Sequence, residues 1–130
     1  MKAIKAVYFL LSEDSSITAN IYPQRIPEGV ALPAIVINQI SRVANDTLKE
    51  YSKSDESRIQ ITIVSETATA GYELADAVRD VMNATVPNTF NSVLVQNIAF
   101  QNEMTDQDDE GSDQGLFMVV QDYVIMYANA

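Results

Sequence analysis

Apolar positions recur along this chain with two different periods. Between Lys2 and Leu11, the residues Ile4, Val7, Tyr8 and Leu11 fall at helical spacing. Phe9 and Leu10 are apolar too, so this helix has no clean polar side. Cover by a sheet or by a neighbouring subunit accounts for that. Ser12 to Asn20 reads as a polar connection. Ile21 to Pro33 (IYPQRIPEGVALP) holds three prolines and one glycine in thirteen residues, which rules out regular helix and favours an extended surface loop. The β-branched run Ala34 to Ser41 predicts a strand, buried on both faces over its first half.

Arg42 to Ser57 is polar. It sets Arg42, Lys49 and Lys53 against Asp46, Glu50, Asp55 and Glu56, with Tyr51 as its only aromatic. It reads either as a solvated loop or as a protruding hairpin arm that orders against a neighbour. Then comes clear alternation. Ile59, Ile61 and Ile63 point one way while Arg58, Gln60 and Thr62 point the other, as in a half-buried strand. In ETATAGYELADAVRDVMNA, the residues Leu74, Ala75, Val78, Val81 and Met82 form an amphipathic helical stripe. Thr67 or Thr69 can cap this helix, and Pro87 lies beyond its end. A third strand is predicted over 92–101. A loop over 103–113 follows with six carboxylates and no base. In the last segment, 115–127, Phe117, Val119, Tyr123, Ile125 and Tyr127 share one face. Leu116, Met118, Val120, Val124 and Met126 share the other, and Gln121 and Asp122 interrupt the pattern.

These elements predict one α+β domain over 1–130, with a four-stranded, mainly antiparallel sheet and two α-helices packed on one face. The first two strands join through the charged segment 42–57 and the last two through the acidic loop 103–113. The length of 130 residues and the 47% hydrophobic content suit one core of this kind.

Composition narrows the chemistry. Cysteine and histidine are both missing, which removes disulfides, thiolate nucleophiles, Cys-based zinc sites and any Ser-His-Asp arrangement. The net charge is −10, from 18 acids and 8 bases, and it is unevenly spread. Every base lies at or before Arg79, and from Asp80 onward there are eight acids and no base. Such a surface repels duplex DNA instead of adsorbing it. No apolar run approaches the ~20 residues that span a bilayer. The opening Lys-then-apolar order is interrupted by Lys5 and followed by Glu13 and Asp14, so it is expected to be a mature helix rather than a signal peptide.

The acidic loop is the one candidate for a metal. Asp106, Asp108, Glu110 and Gly111 match the first half of an EF-hand loop, but Phe117 stands where the final glutamate belongs and a strand follows. A solvated turn is the expected structure, and no metal is assigned. Glu73, Asp76 and Asp80 lie along one side of the second helix as a solvated face. Phosphate loops, nucleophile elbows and basic patches with interleaved aromatics are not found.

Taken together, AIKAVYFLLSEDSSITA, IYPQRIPEGVALPAIVINQIS, RIQITIVSETATAGYELADAVRDVM and the closing GLFMVVQDYVIMY resemble the tail-completion (tail-to-head joining, terminator-like) proteins of long-tailed bacteriophages. Order and spacing match over nearly the whole chain. The departures are the strongly acidic loop and the interruption at Gln121 and Asp122. The resemblance implies a structural virion protein of a phage or prophage, with no enzymatic activity, no catalytic residues and no cofactor. It implies a homo-oligomeric ring, hexameric in type, at the head-proximal end of the tail. Such a ring ends tube growth and meets the tail tube protein and a head-completion or connector protein. DNA passes through its lumen without specific binding, and no membrane is involved. Its place would be the neck of the virion, after assembly in the host cytoplasm. By exposure and length of the polar segments, Tyr22, Arg25, Arg42, Lys49, Tyr51, Lys53 and Arg58 are the expected subunit or tube contacts. Asp106, Asp108, Asp109, Glu110 and Asp113 are the expected lumen or joining surface. The alternative is an acidic binding module, taking calcium or mimicking DNA, that acts through 103–113.

Overall fold

A computed structural model describes residues 1–24, 29, 31–46, 53–108 and 116–128. In chain order the elements are helix α1 (Lys2–Glu13), strands β1 (Asn20–Pro23), β2 (Ala34–Asp46) and β3 (Lys53–Ser65), helix α2 (Ala68–Met82), and strands β4 (Asn88–Phe90), β5 (Val93–Asp108) and β6 (Leu116–Ala128). The strands form one six-stranded sheet in the order β1-β2-β3-β6-β5-β4. β1 runs parallel to β2, and every other neighbouring pair is antiparallel.

The sheet is therefore mixed and six-stranded, not the four-stranded, mainly antiparallel sheet that the sequence pattern suggested. The two extra strands sit at the edges and have four and three residues. Runs that short carry no readable alternation. In β1 the proline falls at the last strand position, on an edge, where its missing N–H costs no ladder bond. The remaining strands lie where expected, and all but β6 run longer. β2 continues to Asp46 and β5 to Asp108, because polar residues pair through their backbones as readily as apolar ones.

The sheet is curled. A flat sheet of six strands would put its outer strands ~24 Å apart, whereas a helix with its side chains is ~10–12 Å wide. Yet α1 touches β1 and β2 at one edge and β4 and β5 at the other. Only a sheet bent into a trough around α1 permits this. Local bends help: the register slips between Gln39 and Ser41 on β2, and between Val95 and Asn97 and between Phe100 and Asn102 on β5.

Both helices fill the concave side. Ala3, Ile4, Ala6, Val7 and Leu11 of α1 and Leu74, Ala75, Val78 and Met82 of α2 pack with Ile35, Ile37, Ile59, Ile61, Ile63, Val119, Tyr123, Ile125 and Tyr127 of the sheet. Thr67 caps α2 by accepting from the Ala70 amide at 3.2 Å. The first turn of α2 comes close to the sheet at Gly71. A Cβ there would lie 2.6 Å from Phe117 Cδ1 and 2.7 Å from Ser65 Oγ.

Gly71→Ala should therefore destabilise the fold by ~1–3 kcal/mol, the usual range for overpacking. The loss will appear as a lower urea midpoint with an unchanged slope. Equal or greater stability would mean that α2 does not seat against Phe117 as described.

Candidate interaction surfaces

The strand register sends the two long hairpins to opposite ends of the molecule. Ser54 faces Ala128 at one end of the β3–β6 ladder, and Ser65 faces Phe117 at the other. The β2–β3 hairpin extends past the first end, where Asp46 pairs with Lys53. The β5–β6 hairpin extends past the second, where Asp108 pairs with Leu116. Strands of thirteen residues separate the two ends by roughly 40 Å.

The outer part of the β2–β3 hairpin is ordered by a buried carboxylate. Asp55 is 4% exposed and accepts from Arg42 Nε at 2.7 Å and Nη2 at 2.6 Å. The bond to Asp55 holds the Arg42 guanidinium in its charged form more firmly than usual. Next to it the Ser57 and Tyr127 hydroxyls are 3.1 Å apart, both on buried residues.

A second polar group ties α2 to the sheet. Gln121 is fully buried. Its Nε2 donates to the Ala75 carbonyl at 3.0 Å and to Glu103 Oε1 at 2.8 Å. Its Oε1 accepts from the Tyr123 hydroxyl at 2.7 Å. Phe100 packs edge-on against Tyr123, with ring centroids 5.5 Å apart, and the Arg79 guanidinium lies 4.3 Å above Phe100. Burial raises the Tyr123 pKa well above its ordinary value, so the hydroxyl stays a donor.

Among the described residues, no helix packs on the convex side of the sheet. There Asp122, 8% exposed at its side chain, accepts from Arg58 Nη2 at 3.2 Å, while Arg58 is 49% exposed. Asp122 Oδ1 is buried without a hydrogen-bond partner among the described residues. Val36, Thr62, Val120 and Val124 surround this pair on the same side, and Met104, opposite Val120, is 55% exposed.

The structure distributes the expected contact residues widely. Tyr22 is half-buried on edge strand β1. Arg42 lies at the β2–β3 end and Arg58 on the convex face, so these two do not form one patch. Asp106 is exposed on β5 opposite Met118. Lys53 and Asp108 have their backbones in β3 and β5, with side chains outside the described residues. Arg25, Lys49, Tyr51, Asp109, Glu110 and Asp113 lie outside the described residues altogether, as does most of the EF-hand-like stretch. Among the described residues no group of three acidic side chains is placed to hold a metal, and no helix is long and apolar enough to cross a membrane. Sequence reasoning treated Gln121 and Asp122 as breaks in a pattern. The missed signal was a glutamine at a position where strict alternation demands a core residue.

Residues 5–128 match the model of the family described as tail completion protein gp17. No curated protein matches the chain by sequence. Among solved structures, a chain from the virion of a native gene transfer agent particle superposes with a TM-score of 0.68 at 13% identity. The match covers 98% of this chain and 93% of that one. At that identity the likeness shows a shared fold.

The Gln121 group has two measurable consequences. Replacing Gln121 by Leu leaves the Ala75 carbonyl and the Tyr123 hydroxyl without their partner, and should cost ~1–3 kcal/mol in a denaturant titration. For Tyr123 the sign follows from proton linkage. Above pH ~10 the unfolded chain releases this proton and the folded chain retains it, so stability falls as pH rises. Tyr123→Phe should flatten that alkaline loss by the equivalent of one proton. An unchanged slope would place the hydroxyl in water.

Proposed function

Because the chain belongs to the tail completion protein gp17 family, a family of structural phage tail proteins, we propose that it is the subunit of a ring at the head-proximal end of the tail. In this reading the ring ends growth of the tail tube and joins the tail to the head. The family match over 5–128 is the observation that carries the assignment.

The architecture supports a joint between unlike partners. A subunit with one hairpin at each end of a common sheet offers two separate surfaces to whatever lies above and below it. Their chemistry differs. Segment 103–113 has six acids and no base, while 42–57 mixes Arg42, Lys49 and Lys53 with four acids. Partners of the ring would be further copies of the chain, the tail tube protein and a head-completion or connector protein. DNA would pass through the lumen, and a net charge of −10 disfavours its adsorption there.

Electron microscopy of particles assembled without this protein tests the assignment. The expected result is tails of abnormal length, or finished tails that never join heads. Tails of normal length joined to filled heads would rule the role out. A narrower test concerns the acidic end. Glu103 is kept, because Gln121 donates to it. Changing Asp108, Asp109, Glu110 and Asp113 to their amides should leave the thermal midpoint nearly unchanged while lowering infectivity through failed joining. Full infectivity would remove that hairpin from the joining surface.

A further inference from the structure

Both edges of the six-stranded sheet are only partly filled. β1 pairs with 34–37 of β2 and stops there. Residues 38–46 of β2 therefore have β3 on one side and, among the described residues, no strand on the other. β4 pairs with 93–95 of β5, and 96–108 is likewise open on the side away from β6. Residues 39–44 and 100–106 are all exposed. An open edge presents a row of backbone donors and acceptors, a template for pairing with another chain. Neither stretch holds a proline or a lysine, the residues that often blunt such an edge. Both carry exposed apolar side chains instead, Ile40 and Val43 on β2, Phe100 and Met104 on β5.

We propose that the open β2 edge of one copy pairs with the open β5 edge of the next, so that the sheet continues from subunit to subunit. This deepens the ring reading above and rests on it.

The fit of the two edges to each other selects a second copy as the occupant. Direction is the first part of that fit. Three antiparallel steps lead from β2 through β3 and β6 to β5, so β2 and β5 run oppositely. A neighbour turned about an axis along the strands offers its β2 antiparallel to β5. Length is the second. The stretch 38–46 fits within 96–108, between the stops set by β4 of one copy and β1 of the other. With Val43 opposite Met104, Asp46 comes level with Gln101, clear of β4, and Gln39 reaches Asp108, clear of β1. Side chains are the third. Val43 faces Glu56, which alternation from Arg58 puts on the convex side, and Met104 shares that side. The two are 59% and 55% exposed, and the pairing covers both. Arg42, the one cation in either stretch, then lies diagonal to Glu103, ~7–8 Å away and within reach of a long side chain. Pairing β5 with itself would instead join two stretches that each hold three acids and no base. A strand of another protein would fill one edge and leave the other open, whereas successive copies fill both.

The absence of cysteine makes the contact directly testable. Val43→Cys and Met104→Cys, combined in one chain and built into tails, are expected to give a series of disulfide-linked oligomers on oxidation. Opposed residues on antiparallel strands sit ~4.5–5.5 Å apart, within disulfide reach. Within one copy the two positions lie three strands apart, roughly 14 Å, too far to bridge. Each single variant is expected to remain monomeric. Dimers from Met104→Cys alone would mean that β5 pairs with β5, which overturns the proposal. A cross-link from either single variant to a different protein would overturn it too, because a foreign strand would then fill the edge. So would the absence of any cross-link from the double variant in tails shown by immunoblot to contain the protein. That last result leaves the ring reading standing, whereas tails that assemble and join heads without the protein remove both. As a check independent of cysteine, Val43→Glu sets an acid against the acidic β5 edge. It should lower incorporation into tails about tenfold or more while Val43→Thr preserves it. Equal incorporation of the two, with matched thermal midpoints, would likewise overturn the contact.

Discussion

One helix, α1, lies in the trough of a curled sheet, and the closeness of that contact governs where the other elements go. Ala3 and Ala6 bring its backbone near the strands, while Ile4, Val7 and Leu11 fill the space on either side. Because α1 reaches strands at both edges, the sheet closes around it, and the concave face has room left for one further helix. α2 takes the remaining concave space over β3 and β6, held by the Gln121 bond to the Ala75 carbonyl. Burying a glutamine is costly unless its amide is satisfied. Here Ala75, Glu103 and Tyr123 satisfy it, and the seat of α2 depends on their positions.

Much of this was legible in the sequence. The isoleucines at 59, 61 and 63 and the alternation from Phe117 to Tyr127 located two central strands and their inner faces. Thr67 and the apolar stripe from Leu74 to Met82 located α2. What escaped were structures that pattern does not encode. Asn20–Pro23 and Asn88–Phe90 are strands because a neighbouring edge offers them hydrogen bonds, not because of their own composition. Glu103–Asp108 is acidic and still extended, because β6 supplies a partner strand along its whole length.

The surfaces were less legible than the fold. A carboxylate can be buried by one arginine that sequence distance does not announce. Asp55 and Arg42 are thirteen positions apart, and Asp122 and Arg58 are 64 apart. Both pairs form only once the register of β2, β3 and β6 is set. Gln121 and Asp122 are adjacent in the chain yet serve opposite sides of the sheet, the first turned toward α2 and the second toward Arg58. Alternation along β6 sets the opposed directions, and the register of the neighbouring strands supplies the partners.

The placement of the hairpins at opposite ends has a mechanical consequence. β3 and β6 each run the full distance between the two ends of their ladder, and twelve residue pairs join them. A pull applied between those ends acts along the strands, perpendicular to the hydrogen bonds that cross the ladder. The bonds then resist together in shear and cannot be peeled apart one after another. A subunit of this design is stiff along its long direction, the direction in which tension between two partners held at its ends would be transmitted.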